Sequence, residues 1–261
     1  MAKKQATETK ALVNWDKELA AAAAAAKGTA AAAGGGSKRV SIQGGVLQVD
    51  GNPVPGNQLV CLIADFVMEN RFFTTEFDPD NPTSPDCYAF GRALDELGPH
   101  DDAEDKQHET CAGCPQNEWG SSDKGRGKAC RNTYKLLLVP AGELDQQGQF
   151  APPEDVEDLK GELYSLSIPP TSLKAFTGYV DTLSGRLRPP WAVFSKVIVK
   201  GDTKNQVAVS FQAVGDVPTE FLEVARDRNQ EAARNIETPY PKNSEREKPE
   251  PKKAGKGKRR F

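Results

Sequence analysis

The sequence predicts a mainly β, α+β domain: an antiparallel barrel or sandwich with two helices. Apolar residues alternate at period two in successive short runs from Arg39 onward, and those runs are separated by Gly, Pro and Asn clusters. Only two later segments repeat apolar residues at helical spacing. Four of the five cysteines fall between Cys87 and Cys130, which marks an insertion between two strands.

The first strands are Val40–Val49, bent at Gly44-Gly45 and closed by the Asp50-Gly51-Asn52 hairpin signal. Gln58 to Phe66 is an apolar run with β-branched members, and a second, aromatic strand is expected over Asn70–Phe77. The loop 78–85 contains three prolines and delivers Cys87. Tyr88–Gly91 reads as a short strand and Ala93–Leu97 as a helical turn. Beyond Cys130, Asn132–Pro140 is a strand, followed by a polar stretch and the alternating Glu162–Ile168. Leu173, Phe176, Val180 and Leu183 then define a helix, with Ser172 placed to cap it. Trp191–Val199 and Gln206–Val214 form a hairpin. Pro218-Thr219 opens the last helix toward Ile236. Seven or eight antiparallel strands with glycine bends and an intervening helix suit an OB-like barrel or a related sandwich.

The expected organisation is a low-complexity Ala/Gly leader over 1–38, a β-rich core over 39–238 carrying the insertion 87–130, and a disordered basic tail over 239–261. Within the leader, Ala20–Ala26 favours a short helix, and Leu12, Val13, Trp15 and Leu19 could dock on a partner or a second copy, so homo-oligomerisation is kept open. A hydrophobic content of 37% is enough for a core but low for a wholly folded chain. No apolar run approaches the ~18 residues of a membrane span. A soluble, cytoplasmic protein without membrane contact is expected. The net charge of −3 hides an asymmetry: residues 1–39 carry +4, residues 252–261 carry +6, and the body between them −13. Total charge therefore does not identify a nucleic-acid binder, and phosphate contact would require a local basic surface or the ends.

The insertion reads Cys111-Ala-Gly-Cys114-Pro115, then a Gly/Ser/Lys loop through Trp119 to Cys130. A CxxC sets two sulfurs on one metal ion, and a long flexible loop returns a third. An odd cysteine count without a secretion signal points to reduced thiols rather than disulfides. Cys111, Cys114 and Cys130 are the firm ligands. Cys87 and His108 compete for the fourth place, with Cys87 favoured because a proline-fixed loop delivers it. Zinc suits four thiolates, and an iron–sulfur cluster is the competitor, although the spacing departs from ferredoxin runs. Full coordination by protein leaves no open position, so the site is structural. Cys61, in the middle of an apolar run, reads as a small core residue.

No enzyme is expected. Two histidines in an acidic loop supply little for nucleophilic catalysis, and no phosphate loop follows a strand. Asp158-Leu-Lys160 matches the end of a metal-dependent nuclease pattern but sits in a polar, proline-flanked turn. Binding is better supplied: Lys124, Arg126, Lys128 and Arg131 crowd the knuckle, Trp119 offers a stacking face, and Phe72 and Tyr134 lie on neighbouring strands. Phe73, Phe77, Tyr88 and Phe90 add rings, of which half or more must serve the core. Cations along a backbone with aromatic faces for bases are the elements of single-strand binding.

The run Cys111-x-x-Cys114-Pro115-x-Asn117-x-Trp119-Gly120-Ser121, continuing to Gly125-x-Gly127-Lys128-x-Cys130 with Cys87 upstream, resembles a segment of tailed-phage early proteins. That resemblance covers about 45 residues. It implies single-stranded DNA binding associated with phage replication or recombination, with a replication or host protein as a further partner, and a place in the host cytoplasm. The basic end Gly257-Lys-Arg-Arg-Phe261 departs from the acidic tail of the usual phage single-strand binder. The alternative is a protein-interaction module, a host-takeover or assembly factor, whose acidic body meets a basic partner.

Overall fold

The computed structural model describes residues 38–75, 83–123, 125–202 and 206–243. The expected leader helix, Phe77, Lys124 and the basic tail from 244 onward lie outside the described residues. In chain order the strands are β1 (Val40–Gln43), β2 (Val46–Val49), β3 (Asn52–Pro53), β4 (Gln58–Phe72), β5 (Cys87–Gly91), β6 (Arg131–Pro140), β7 (Glu143–Leu144), β8 (Phe150–Ala151), β9 (Tyr164–Ile168), β10 (Val193–Asp202) and β11 (Gln206–Asp216). Two helices, α1 (Leu173–Gly185) and α2 (Leu222–Asn235), complete the set.

β1, β2 and β3 form a small meander. Both of its turns are two-residue loops with positive φ, Gly44 (57°) with Gly45 (80°) and Asp50 (49°) with Gly51 (81°), the twist that hairpins favour. The main sheet has the order β11-β10-β4-β6-β9, and β5 pairs with the second half of β4. Every pairing in it is antiparallel.

The mainly β class with two helices is what the sequence led one to expect. A closed barrel is not: β11 and β9 stand at opposite ends of an open sheet and do not pair. Closure is one way to protect edges and bury faces, and here both tasks are met otherwise. At the β9 edge, Ser165 donates its N–H to the Lys38 carbonyl at 3.0 Å. At the β11 edge, the Val209 N–H donates to Ser172 Oγ at 2.9 Å. Ser172 therefore serves the sheet and makes no side-chain cap to α1.

The faces are covered by helices. On one side, Cys61, Ile63, Leu136 and Leu138 pack against Phe176 and Leu183 of α1 and against Val40 and Leu47 of the meander. On the other, Leu62, Val139 and Phe194 meet Ala225, while Val67 and Leu137 meet Ala232 of α2 and Ile236 just beyond it. Fully burying one such side chain as Phe176 is worth about 1.5–3 kcal/mol.

β4 is a single 15-residue strand where the sequence suggested two. A bulge at Ala64 lets it continue, since Ile63 and Asp65 oppose the consecutive Leu138 and Leu137. The acidic residues within it are buried and partnered. Asp65 accepts from Arg92 Nη1 at 3.0 Å. Glu69, 0% exposed, accepts from Thr133 Oγ1 at 3.1 Å, from Ser167 Oγ at 3.3 Å and from the Tyr240 hydroxyl, and pairs with Arg71. Ala93–Leu97 is a series of bends, with Leu97 buried, instead of a helical turn. After α2 the chain runs back along the body: Ser84 Oγ donates to the Pro241 carbonyl at 2.6 Å and the Ser84 N–H to Asn243 Oδ1 at 2.8 Å. Among the described residues no helix is long and apolar enough to cross a membrane.

Candidate metal centre

The long strand β4 is the platform of the site. Cys87, the first residue of β5, lies opposite Phe72 on one side of β4, and Cys130 leads directly into β6 on the other. The CxxC is folded over the gap by backbone bonds. The Cys111 N–H donates to the Leu97 carbonyl at 2.9 Å, the Asn117 N–H to the Cys114 carbonyl at 2.9 Å, and the Cys130 N–H to the Gln116 carbonyl at 2.7 Å. Pro115 starts the 3₁₀ turn Pro115–Asn117, whose first N–H would have no partner in any case. Asn117 Nδ2 closes the loop on the Cys111 carbonyl at 2.8 Å.

This folding brings Cys87, Cys111, Cys114 and Cys130 to the wall of one cavity of about 20 Å³, little more than the space of a single small particle. All four are unbridged thiols; Cys111, Cys114 and Cys130 are buried and Cys87 is half-buried. Burial pushes Cys130 up to about 12, and its three neighbouring thiols add to the effect. Burial likewise raises Cys87, and Cys114 adds to it; it raises Cys111, and Cys87 and Cys114 add to that. Two donors act the other way and favour thiolate: the Gln107 backbone at Cys87 and the Asn70 side chain at Cys111. The sulfurs share the cavity without converging on a point: among the described residues no three or more His, Cys, Asp or Glu side chains stand in ready-made ligating geometry.

His108 lines the same cavity. Its Nδ1 faces the Thr110 backbone, 3.1 Å from the carbonyl and 3.2 Å from the N–H, and the residue is exposed. Cys61 lies apart in the core, fully buried, with its thiol donating to the Ser195 carbonyl at 3.6 Å. Asp158 and Lys160 sit exposed in the turn Val156–Lys160, where Lys160 pairs with Glu157.

The knuckle also fixes a surface. Trp119 is 80% exposed, yet its loop is tied: Gly120 and Ser122 both donate to the Gly127 carbonyl, at 3.0 and 3.2 Å. Lys128 Nζ donates to Asn117 Oδ1 at 3.1 Å and stands over the Trp119 ring, 5.8 Å from its centroid. Arg126 and Arg131 are exposed. Phe72 is half-buried against the thiol cavity. Tyr134 is half-buried too, edge-on to Phe66 and tilted on Phe176. Tyr88 is buried and stacks on His100, and Phe90 stacks on Tyr240, so those rings serve packing.

Three asparagines join this region; in the sequence Asn117 stood only as a position of the cysteine motif, and Asn70 and Asn132 only as strand starts. Asn70 and Asn132 are cross-strand partners, Asn132 Nδ2 donating a hydrogen bond to Asn70 Oδ1 at 2.6 Å, and Asn117 holds the CxxC. The sequence signals were the motif position of Asn117 and the proximity of Asn132 to Cys130. Asn70 needed the β4–β6 register. Comparison with protein families, curated proteins and solved structures yields no match.

Proposed function

We propose that this chain is a nonenzymatic single-strand-binding protein whose binding surface is the knuckle, braced by a structural zinc ion on Cys87, Cys111, Cys114 and Cys130. The observation that carries the reading is the pairing of an exposed, backbone-anchored Trp119 with Lys128 above its ring. An indole face stacks any base, and an adjacent cation meets the phosphate, so the pair suits a strand without demanding a sequence. Arg126 and Arg131 extend the positive surface on a body that is otherwise acidic.

Zinc accounts for the buried thiols. Burial and neighbouring thiols favour the protonated form of Cys87, Cys111 and Cys130, and a divalent cation reverses that preference by binding the thiolates. Binding would draw the sulfurs inward, and the Asn70 and Gln107 donors would then support thiolate. Cys87 is preferred to His108 as fourth ligand because it is half-buried at the thiol cavity, whereas His108 is exposed. An iron–sulfur cluster is the competing occupant. The OB-like expectation survives only as an analogy of use, a sheet-borne surface for a strand. A role in phage replication or recombination in the host cytoplasm follows the motif resemblance alone.

Fluorescence anisotropy with a labelled oligothymidylate across a salt series tests the binding. Binding that weakens steeply with salt, persists after deletion of residues 252–261 and falls about tenfold or more in Trp119→Ala is expected. No binding at low salt would remove the proposal in favour of the protein-interaction module.

A further inference from the structure

Beside the knuckle, on the α1 side of the sheet, lies a second and larger cavity of about 300 Å³. Met68, Asn132 and Tyr134 of the sheet, Asn117 and Lys128 of the knuckle and Thr177 of α1 are among the residues that line it. We infer that this cleft receives a nucleobase of the bound strand, next to the one stacked on Trp119; the inference rests on the single-strand reading above.

Size, chemistry and charge agree on this occupant. A volume near 300 Å³ is at the lower limit of small-ligand sites, enough for one planar heterocycle and too little for a folded segment. The lining combines apolar side chains and a ring with amides and hydroxyls, which is how unstacked bases are held: faces against apolar groups, edges against amides. Asn132 commits one amide hydrogen to Asn70, and an amide offers two N–H groups and two lone pairs. Among the described residues lining the cleft, Lys128 is the one that carries charge and no acid joins it, although the body is acidic. A basic peptide is therefore the wrong partner, and a group carrying negative charge at its edge is the right one. Lys128 also borders both places, lining the cleft and standing over Trp119, where a phosphate linking two adjacent nucleotides would lie.

The test uses the full chain in the same anisotropy assay with two probes, oligothymidylate and an abasic strand of equal length. Thr177→Trp fills the cleft from α1. Thr177 is exposed and its hydroxyl bonds only within its helix, to the Leu173 carbonyl at 3.0 Å, so the knuckle is untouched. The expected result is about a tenfold loss of affinity for oligothymidylate in Thr177→Trp, with an unchanged thermal midpoint and no change toward the abasic strand. Thr177→Trp binding oligothymidylate like the parent overturns the cleft while leaving the Trp119 surface standing. A parent protein that binds abasic and intact strands equally overturns the base-binding role without any variant. Absence of all binding by the parent overturns both this inference and the function it rests on.

Discussion

Tyr240→Phe removes one hydroxyl from a buried charged cluster. Tyr240 lies in the segment after α2, its ring stacked on Phe90 and edge-on to Tyr88, and its hydroxyl donates to Glu69 Oε1. Burial, with Glu69 adding to it, raises the phenol, so it remains a donor across the ordinary pH range. A hydrogen bond to a charged group contributes about 1.5–3 kcal/mol. Glu69 keeps Thr133 and Ser167 as donors and Arg71 as counter-ion, which places the loss in the lower half of that range, about 2 kcal/mol. At about 2–4 °C per kcal/mol for a domain of this size, the thermal midpoint should fall by about 4–8 °C. Calorimetry and urea unfolding both measure it, and Tyr240→Ala should lose more because the ring contacts go as well. A midpoint in Tyr240→Phe equal to the parent's would show that the hydroxyl is not a buried donor, and one in Tyr240→Ala equal to the parent's that the segment after α2 is not part of the folded unit.

Cys61 is pushed from its ordinary 9.0 up to about 12 by burial, so above pH 9 the unfolded chain loses this proton before the folded one does. Its contribution is complete below pH 9 and declines by about 1.4 kcal/mol per pH unit above it; Cys61→Ala should show a shallower alkaline loss of stability in urea titrations, and an equal slope would contradict this. Ser172→Ala should cost about 1–3 kcal/mol by leaving the Val209 N–H unpaired, read by the same unfolding assay. In Gly142→Ala, at φ 81°, the new Cβ would lie 2.6 Å from Phe150 Cε2 and 2.9 Å from the Ala151 carbonyl, and a loss of about 1–3 kcal/mol is expected. Cys114→Ser should lower the thermal midpoint by removing a ligand whose metal binding is folding free energy, and an unchanged midpoint would count against a structural metal.

Local patterns were legible in the sequence where a residue's environment is set by near neighbours. The apolar runs 191–199 and 206–214 pointed to the β10–β11 hairpin, whose first strand starts at Val193, and Leu173, Phe176, Val180 and Leu183 pointed to α1. Cysteine spacing likewise singled out the four thiols that the chain gathers at one cavity. What remained hidden depends on distant partners. The continuity of β4 was not legible because Arg92, Tyr240 and Ser167, the partners that allow Asp65 and Glu69 inside a buried strand, are 27, 171 and 98 residues away. Lys, Glu and Pro around Tyr240 read as tail because a single buried hydroxyl carries no periodicity. The cleft beside the knuckle was not legible either, since it exists only where α1 and the insertion meet over the same face of the sheet. An open sheet and a barrel share the same strand patterns, and only the end pairing separates them.

The proposed brace of the knuckle is a metal ion in the thiol cavity. Elemental analysis of the protein purified without added metal tests that most directly. One zinc per chain, absent from Cys114→Ser, is the predicted result. Iron with sulfide, or thiols that carry no metal, would contradict it.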